Sequence, residues 1–185
     1  DRSGWPQRAT LVALIGFAGL FVALAVWVAL SRLDYPGFDF RYFWVAGQLW
    51  LDGVSPYGPQ YLEASSRLIP SGIVPGIWPY PPNIWPAAVL AGFLDFHTAW
   101  ILWFSLYILT IVAASALIAF GLPLGWLPFA GQRPPALSRT GFFCLHLGLI
   151  AASEAVRHSV GSGQISALIY FGVALIVVGL ARGKG

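Results

Sequence analysis

The sequence predicts an all-α membrane protein, a polytopic bundle of about four or five transmembrane helices with a large first extracytoplasmic loop that contains interfacial helices. Of its 185 residues, 58% are hydrophobic and only 9% are charged, whereas soluble domains contain about 25% charged residues. The mean hydropathy is +0.74. Two uncharged runs, Leu11–Leu30 and Thr98–Leu122, are each at least as long as the roughly 20 residues that cross a bilayer as a helix. These observations exclude an ordinary soluble domain.

Five hydrophobic segments form a single predicted transmembrane domain over residues 1–185. They are a first span at 11–30, a short second span at 84–94, a third span at 98–122, a fourth span or re-entrant helix at 140–152, and a fifth span at 164–181. The second segment is short for a span. It therefore needs shelter inside a bundle, or a Pro-rich connection that also enters the bilayer.

Basic residues decide the predicted orientation. Arg2 and Arg8 precede the first span, and positively charged residues tend to remain in the cytoplasm, so the loop at 33–86 is predicted to lie outside. If all five segments cross the membrane, the C-terminus also ends outside, whereas the basic residues after the fifth segment favour the cytoplasm. A re-entrant helix at 140–152 would resolve this conflict.

Composition excludes several partners and kinds of site. The net charge of +3 is scattered, without the Lys/Arg clusters of a nucleic-acid-binding surface, so we expect no nucleic-acid partner. The single cysteine, Cys144, cannot form an intrachain disulfide and is interpreted as a small buried hydrophobe. His97, His146 and His158 are far apart in sequence and are interpreted as hydrogen-bonded structural residues. With no phosphate loop, H-E-x-x-H motif or Cys/His ligand set, no metal site is predicted.

The loop from Leu33 to Pro86 is the segment predicted to carry any chemistry. It contains five of the seven tyrosines, four of the nine tryptophans and four of the seven acids. Aromatic side chains with a polar tip prefer the boundary between hydrocarbon and water. We therefore expect this loop to lie along the membrane surface.

The first part of this loop is predicted to be helical. Asp39 can cap a helix over Asp39–Leu51, and Gly53 can end it. One apolar face recurs at helical spacing and predicts that the helix lies flat in the membrane interface; its residues are Phe40, Phe43, Trp44, Gly47 and Leu51.

The rest of the loop is predicted to contain a short helix and an extended return to the membrane. The helix is expected near Tyr61–Leu68, where Glu63 and Arg67 are spaced i, i+4 and can pair. The Pro-rich segment Ser71–Pro86 is expected to be a largely extended, stiff connection.

Two acids of the loop allow one reaction to be considered from the residues alone. Asp34 and Asp39 could form the carboxylate pair of a glycoside hydrolase. A Pro-Gly turn lies between them and does not fix the distance between their carboxylates.

The order of several short motifs resembles a known family. The loop reads D-F-x-Y-F-x-x-A-x-x-L-x-x-x-G-x-S-P-Y from Asp39 to Tyr57, Y-P-P follows at Tyr80–Pro82, and G-Q opens an apolar helix at Gly163–Gln164. This order resembles the polytopic glycosyltransferases of the GT-C superfamily. The most similar group is the mannosyltransferase-like glycosyltransferase family 87, also called DUF2029, and the resemblance extends over nearly the whole chain.

The resemblance implies a function and a set of site residues. Members transfer a sugar from a polyprenyl-phosphate donor to an acceptor on the outer side of the membrane, which implies a mannose-like transfer at a bacterial inner membrane with no cofactor. The resemblance implies that an acid of the first outer loop is the catalytic base, and Asp39 occupies that position; a helix cap is its alternative interpretation. Substrate-binding residues are expected at Arg41, Tyr42, Tyr57, Tyr80 and Gln164. Arg41 or Arg67 is expected to stabilise the departing phosphate.

An alternative interpretation follows from length. Family members are considerably longer, so the chain resembles only their N-terminal part. A truncated, non-catalytic relative could serve as an accessory or structural subunit of a larger membrane protein complex, because aromatic and Gly-rich helix faces suit packing against other helices. The expected partners are the lipid bilayer in both cases, the lipid-linked sugar donor for a transferase, and other membrane proteins for a subunit.

Overall fold

The computed structural model describes residues 5–31, 38–67, 78, 80–126, 135–153, 156, 159 and 163–183. Within these ranges no β-strand occurs, which confirms the all-α class. The described residues form seven α-helices: α1 (Trp5–Ser31), α2 (Phe38–Leu51), α3 (Pro59–Ser66), α4 (Trp85–Gly92), α5 (Phe96–Gly121), α6 (Pro135–Ala152) and α7 (Ser166–Gly183).

Three of the described helices are long and apolar enough to cross a membrane. They are α1 over Arg8–Trp27, α5, and α7, and they correspond to the first, third and fifth predicted spans. Their large apolar side chains point outward: Leu20, Leu109 and Ile176 are 66%, 65% and 63% exposed. Only hydrocarbon or further protein can cover so much apolar surface. The chain is therefore an integral membrane protein.

The predicted second span is too short to cross a membrane on its own. Helix α4 has eight residues, Trp85–Gly92, and rises by about 12 Å, whereas the hydrocarbon core is about 30 Å thick. The chain turns directly afterwards. Asp95, the residue before α5, caps that helix, because its Oδ1 accepts a hydrogen bond from the Thr98 backbone N–H at 3.0 Å. The segment at 84–94 thus forms a short helix and a turn.

The predicted fourth segment is a helix whose apolar part is shorter than a full span. Helix α6 begins at Pro135, before the predicted start at residue 140, and its apolar part runs over Arg139–Ala152. It packs along α1, with the Phe17 ring against the backbone of Gly148. Its crossing or re-entrant course stays a prediction.

The chain divides into two compact units. The first comprises Asp1–Asp34, Leu106–Gly161 and Ile165–Gly185, and the second comprises Tyr35–Ser105 and Ser162–Gln164. We call them the α1/α6/α7 unit and the α2–α4 unit. Helix α5 contributes its first residues to the α2–α4 unit and the remainder to the other.

In the α1/α6/α7 unit, two arginines from other helices bind the C-terminal end of α5. Arg139 Nη1 donates to the Ala119 carbonyl and Arg182 Nε donates to the Gly121 carbonyl, both at 2.9 Å. The last carbonyls of a helix have no partner within it and carry its negative dipole end. The two guanidinium groups therefore stabilise this end of α5.

Polar side chains also join helices within the α1/α6/α7 unit. His146 Nε2 and the Tyr170 hydroxyl are 2.5 Å apart, and the Tyr107 and Ser166 hydroxyls are 3.2 Å apart. Such bonds hold helices together in an apolar environment. They confirm the structural interpretation of His146, and Cys144 is buried as expected. His97 is exposed, and His158 lies outside the described residues.

Helix α2 begins one residue earlier than predicted. It starts at Phe38, so Asp39 lies in the first turn and the prediction that it precedes the helix as its cap is wrong. The predicted stop at Gly53 is confirmed: this residue has a φ of 72°, which glycine adopts without strain. Val54 N–H donates to the Leu49 carbonyl at 2.8 Å and Gly53 N–H donates to the Trp50 carbonyl at 3.1 Å, which is the Schellman ending of a helix.

The apolar face of α2 packs mainly against protein. Phe40 and Phe43 are 0% and 2% exposed, and their rings lie 5.4 and 5.0 Å from that of Trp103 on α5. The prediction that this face rests on lipid is therefore wrong for these two residues. Their burial in the core of the α2–α4 unit excludes contact with the bilayer.

Helices α2 and α4 touch through their backbones. An ideal Cβ on Gly47 would lie 1.9 Å from the Ala88 backbone oxygen, and one on Gly92 would lie 2.6 Å from the Gly47 carbonyl carbon. Only glycine permits this approach. The Gln48 side chain donates to the Gly92 carbonyl, and Trp44 Nε1 donates to the Leu94 carbonyl at 2.9 Å, so α2 satisfies carbonyls at the end of α4.

The remainder of the loop at 33–86 agrees with the sequence in part. Helix α3 starts two residues before the predicted Tyr61–Leu68 helix, and its Glu63 and Arg67 form the predicted ion pair at 2.5 Å. Of the predicted extended connection, residues 71–77 and 79 lie outside the described residues. The last residues of this connection are helical and not extended: Pro82–Ile84 form a 3-10 turn that leads into α4.

Candidate functional site

All three motifs belong to the α2–α4 unit. They are the stretch from Asp39 to Tyr57, the Y-P-P at Tyr80–Pro82, and the G-Q at Gly163–Gln164. The last motif is more than 80 residues from the others in sequence, yet the Gly163 carbonyl accepts a hydrogen bond from Trp103 Nε1 at 3.0 Å. Gly163 has a φ of 78°, and a Cβ there would lie 2.6 Å from Phe40 Cβ. Glycine thus allows the G-Q motif to reach the start of α2.

Asp39 lies at the start of α2 and close to Tyr80. It is half-buried in the first turn, where the positive end of the helix dipole favours a carboxylate. Burial and, second, the negative charge of Asp39 raise the pKa of the Tyr80 phenol. Such an effect falls off with distance, so the Asp39 carboxylate lies within electrostatic range of the Tyr80 phenol although 40 residues separate the two in sequence.

Tyr57 is joined to Tyr80 directly. Its hydroxyl donates to the Tyr80 carbonyl oxygen at 2.7 Å, while its own side chain remains 52% exposed. Tyr57 therefore contacts Tyr80, and the charge of Asp39 acts on the phenol of Tyr80. We call these three residues the Asp39 cluster.

The two candidate phosphate-binding arginines differ in their surroundings. Arg41 is half-buried on α2, and its guanidinium carbon lies 4.7 Å from the centroid of the Phe96 ring, a cation–π distance. Arg67 is exposed on α3 and is paired with Glu63. The phosphate-binding role of either arginine stays a prediction.

Tyr42 and Gln164 occupy different places in the unit. Tyr42 is 9% exposed and lies in the core, where its carbonyl accepts a hydrogen bond from the Tyr61 hydroxyl at 3.2 Å. Gln164 is half-buried beside Gly163. Their contacts with a substrate stay predictions.

Trp78 lies at the centre of the aromatic core of this unit, a position that the sequence did not predict. Its side chain is 4% exposed, and its ring lies within 6.0 Å of the rings of Phe43, Trp50, Tyr61 and Tyr80. The aromatic content of the loop signalled such a cluster, but it was interpreted as a membrane-surface preference. Among the described residues the Trp78 indole N–H, Nε1, is buried without a hydrogen-bond partner.

Beside Trp78 lies a cleft of about 230 Å³. We call it the Trp78 cleft; its lining residues are Pro56, Tyr57, Gly58, Pro59, Tyr61, Leu62 and Trp78. Burial raises the pKa of the Tyr61 phenol, so this phenol stays protonated. Among the described residues, no charged side chain lines the cleft.

No metal site is found in the described part of the chain. No three residues among its His, Cys, Asp and Glu come together as metal ligands. Asp52 is exposed at the other end of α2, and Asp34, the proposed partner of Asp39, lies outside the described residues.

Comparison of the chain with protein-family models, with curated proteins and with solved structures gave no match.

Proposed function

We propose that this protein is an inverting membrane glycosyltransferase that moves a mannose-like sugar from a polyprenyl-phosphate donor to an acceptor outside a bacterial inner membrane. One observation carries the proposal: motifs that are far apart in sequence belong to one compact unit, in which Tyr57 bonds to Tyr80 and Asp39 lies within electrostatic range of the Tyr80 phenol. This is the arrangement that a site built from those motifs requires.

Asp39 serves as the general base in this proposal. Its carboxylate accepts the proton of the acceptor hydroxyl while the hydroxyl oxygen attacks the anomeric carbon of the donor sugar. The bond between that carbon and the phosphate oxygen breaks, and polyprenyl phosphate leaves with the bonding electron pair. One displacement inverts the configuration at the anomeric carbon.

The neighbours of Asp39 suit this chemistry. Tyr80 has a raised pKa, so its phenol remains a hydrogen-bond donor near the carboxylate at neutral pH. Arg41 can form charge-assisted hydrogen bonds with the departing phosphate. The α2–α4 unit also contains the first residues of the apolar helix α5, which suits a donor that is delivered by the bilayer.

The test is sugar transfer by the protein purified from its native membrane and reconstituted in vesicles with a polyprenyl-phosphate hexose. Asp39→Asn is expected to lower the rate by about 10²–10⁴-fold, because the amide keeps the shape of the side chain and cannot accept the proton. Asp52→Asn, at the exposed end of the same helix, is the matched control and is expected to retain activity. Arg41→Gln is expected to be slower than Arg67→Gln. Transfer by Asp39→Asn at the wild-type rate would overturn the proposal.

The outward apolar faces of α1, α5 and α7 favour a second candidate function, an accessory subunit. Side chains such as Val12 and Leu180 are 69% and 62% exposed, and other membrane helices could cover them as well as lipid can. The mass of the particle in mild detergent separates the two functions. A fixed complex with other proteins, unaffected by Asp39→Asn, supports the subunit, whereas a particle with transferase activity supports the enzyme.

A further inference from the structure

We propose that the Trp78 cleft binds one pyranose ring of a saccharide substrate. The proposal rests on the proposed function and deepens it, because it assigns a place for a sugar beside the Asp39 cluster. Three features of the cleft carry the inference: its size, its lining and its connection through Tyr57 to Tyr80.

The size of the cleft suits a single ring. Its volume is about 230 Å³, below the roughly 300–1,000 Å³ of pockets that hold drug-sized ligands. A polyprenyl chain is many times longer than such a cleft. With no charged side chain in its lining, the cleft also lacks the partners that a phosphate would need.

The lining offers apolar faces and a few polar atoms, as sugar recognition requires. A pyranose presents C–H groups on its faces and hydroxyls around its edge. The rings of Tyr57, Tyr61 and Trp78 and two prolines supply apolar surface, and aromatic faces carry the negative potential that attracts C–H groups. Orienting polar groups in such pockets are few.

One of these polar groups has no partner within the protein. The Trp78 indole N–H is buried and makes no hydrogen bond to any described residue. A buried donor without an acceptor is destabilising, and native proteins keep few of them. A small adjustment of the Trp78 ring would let a sugar hydroxyl accept this hydrogen bond.

The cleft is connected to the proposed base through Tyr57. This residue lines the cleft, and its hydroxyl bonds to the Tyr80 carbonyl. The Tyr80 phenol in turn lies near Asp39. The cleft thus shares Tyr57 with the Asp39 cluster, and Tyr57 is bonded to Tyr80, on whose phenol the charge of Asp39 acts.

The test is saturation-transfer NMR with methyl α-D-mannopyranoside and the wild-type protein in lipid nanodiscs, free of glycoside detergents. The ring C–H protons are expected to receive saturation. Leu62→Trp places an indole in the cleft from an exposed lining position and is expected to weaken the signal at least tenfold. Ser66→Trp, one turn further along α3 and outside the lining, is the matched control. Tyr57→Phe is expected to keep most of the signal, since it keeps the ring.

A short-chain isoprenyl-phosphate mannose added in a second arm distinguishes the donor sugar from an acceptor sugar. Displacement of the methyl mannoside places the donor ring in the cleft, and retention places the acceptor ring there. The proposal is overturned if no saturation reaches the sugar, or if Leu62→Trp and Ser66→Trp give equal signals. Because binding is read without transfer, a protein that binds the sugar in the cleft but transfers none would contradict the proposed function alone.

Discussion

Replacing Gly47 by alanine is expected to force α2 and α4 apart. The new Cβ would lie 1.9 Å from the Ala88 oxygen and 2.7 Å from the Ala88 carbonyl carbon, whereas real Cβ atoms essentially never approach within 3.0 Å. Both obstructing atoms belong to the backbone, so no side-chain rotation relieves the overlap. The helices must separate by about 1 Å, and a close-packed interior resists such a shift.

The cost can be worked from the contacts of the helix pair. Inserting a methyl group into a close-packed contact costs about 1–3 kcal/mol. Separation also disrupts the bond from Gln48 to Gly92 and the bond from Trp44 to Leu94, at about 1 kcal/mol each. Alanine regains about 1 kcal/mol through its higher helix propensity. The net loss in free energy of unfolding is about 2–4 kcal/mol.

The assay is thermal unfolding of the purified protein in nanodiscs, followed by tryptophan fluorescence, since Trp44 and Trp50 lie on α2. Gly172→Ala on α7 is the matched control, because no atom lies within 4 Å of its new Cβ. We expect Gly47→Ala to melt several degrees below the wild type, and the control to melt at or above it. The helix contact would be refuted if Gly47→Ala melted as high as Gly172→Ala.

Two further predictions concern the segment that follows α4. Hydrogen bonds from the Thr98 hydroxyl and backbone N–H lower the pKa of Asp95, so its contribution to stability is present above roughly pH 4, the unfolded pKa, and is lost as pH falls through the folded pKa. The melting temperature of the wild type relative to Asp95→Asn should therefore fall on acidification, and a constant difference would contradict this. Phe93, 69% exposed after α4, is expected to contact lipid: on a Cys144→Ser background, a dye on Phe93→Cys should be quenched by brominated lipids and one on Gln60→Cys should not. Equal quenching would contradict the lipid contact.

The sequence predicted the features that depend on local pattern. Long uncharged runs define α1 and α5 because a helix needs about 20 apolar residues to cross the bilayer. The stop at Gly53 and the Glu63–Arg67 pair follow from short-range rules of helix ends and side-chain spacing. Each of these signals lies within a few residues of the structure that it determines.

Contacts between residues that are distant in the chain could not be predicted from the sequence. The apolar stripe of α2 was visible, but whether lipid or protein covers Phe43 depends on Trp78 and Trp103, 35 and 60 residues further on. The close contact of α4 with α2 was also not predicted, because the approach of Gly47 to Ala88 is tertiary. Periodicity alone cannot distinguish lipid from protein as the apolar neighbour.

The candidate site was predicted residue by residue, and its assembly was not. Motif order singled out Asp39, Tyr57 and Tyr80, while the bond between Tyr57 and Tyr80 required the structure. The Trp78 cleft had no sequence signal beyond aromatic content, since its walls come from a turn, a helix and a distant tryptophan.

The measurement that tests the Asp39 cluster most directly is the titration of Tyr80 by NMR of ¹³C-labelled tyrosine, with Tyr80→Phe to assign its signal. The account predicts that the pKa of Tyr80 lies above its ordinary value and falls in Asp39→Asn, because the carboxylate charge that opposes ionisation is gone. Burial, the larger cause, should keep the pKa above that value in the variant. Asp52→Asn should leave it unchanged. A Tyr80 pKa that is the same in the wild type and in Asp39→Asn would contradict the proximity on which the proposed site depends.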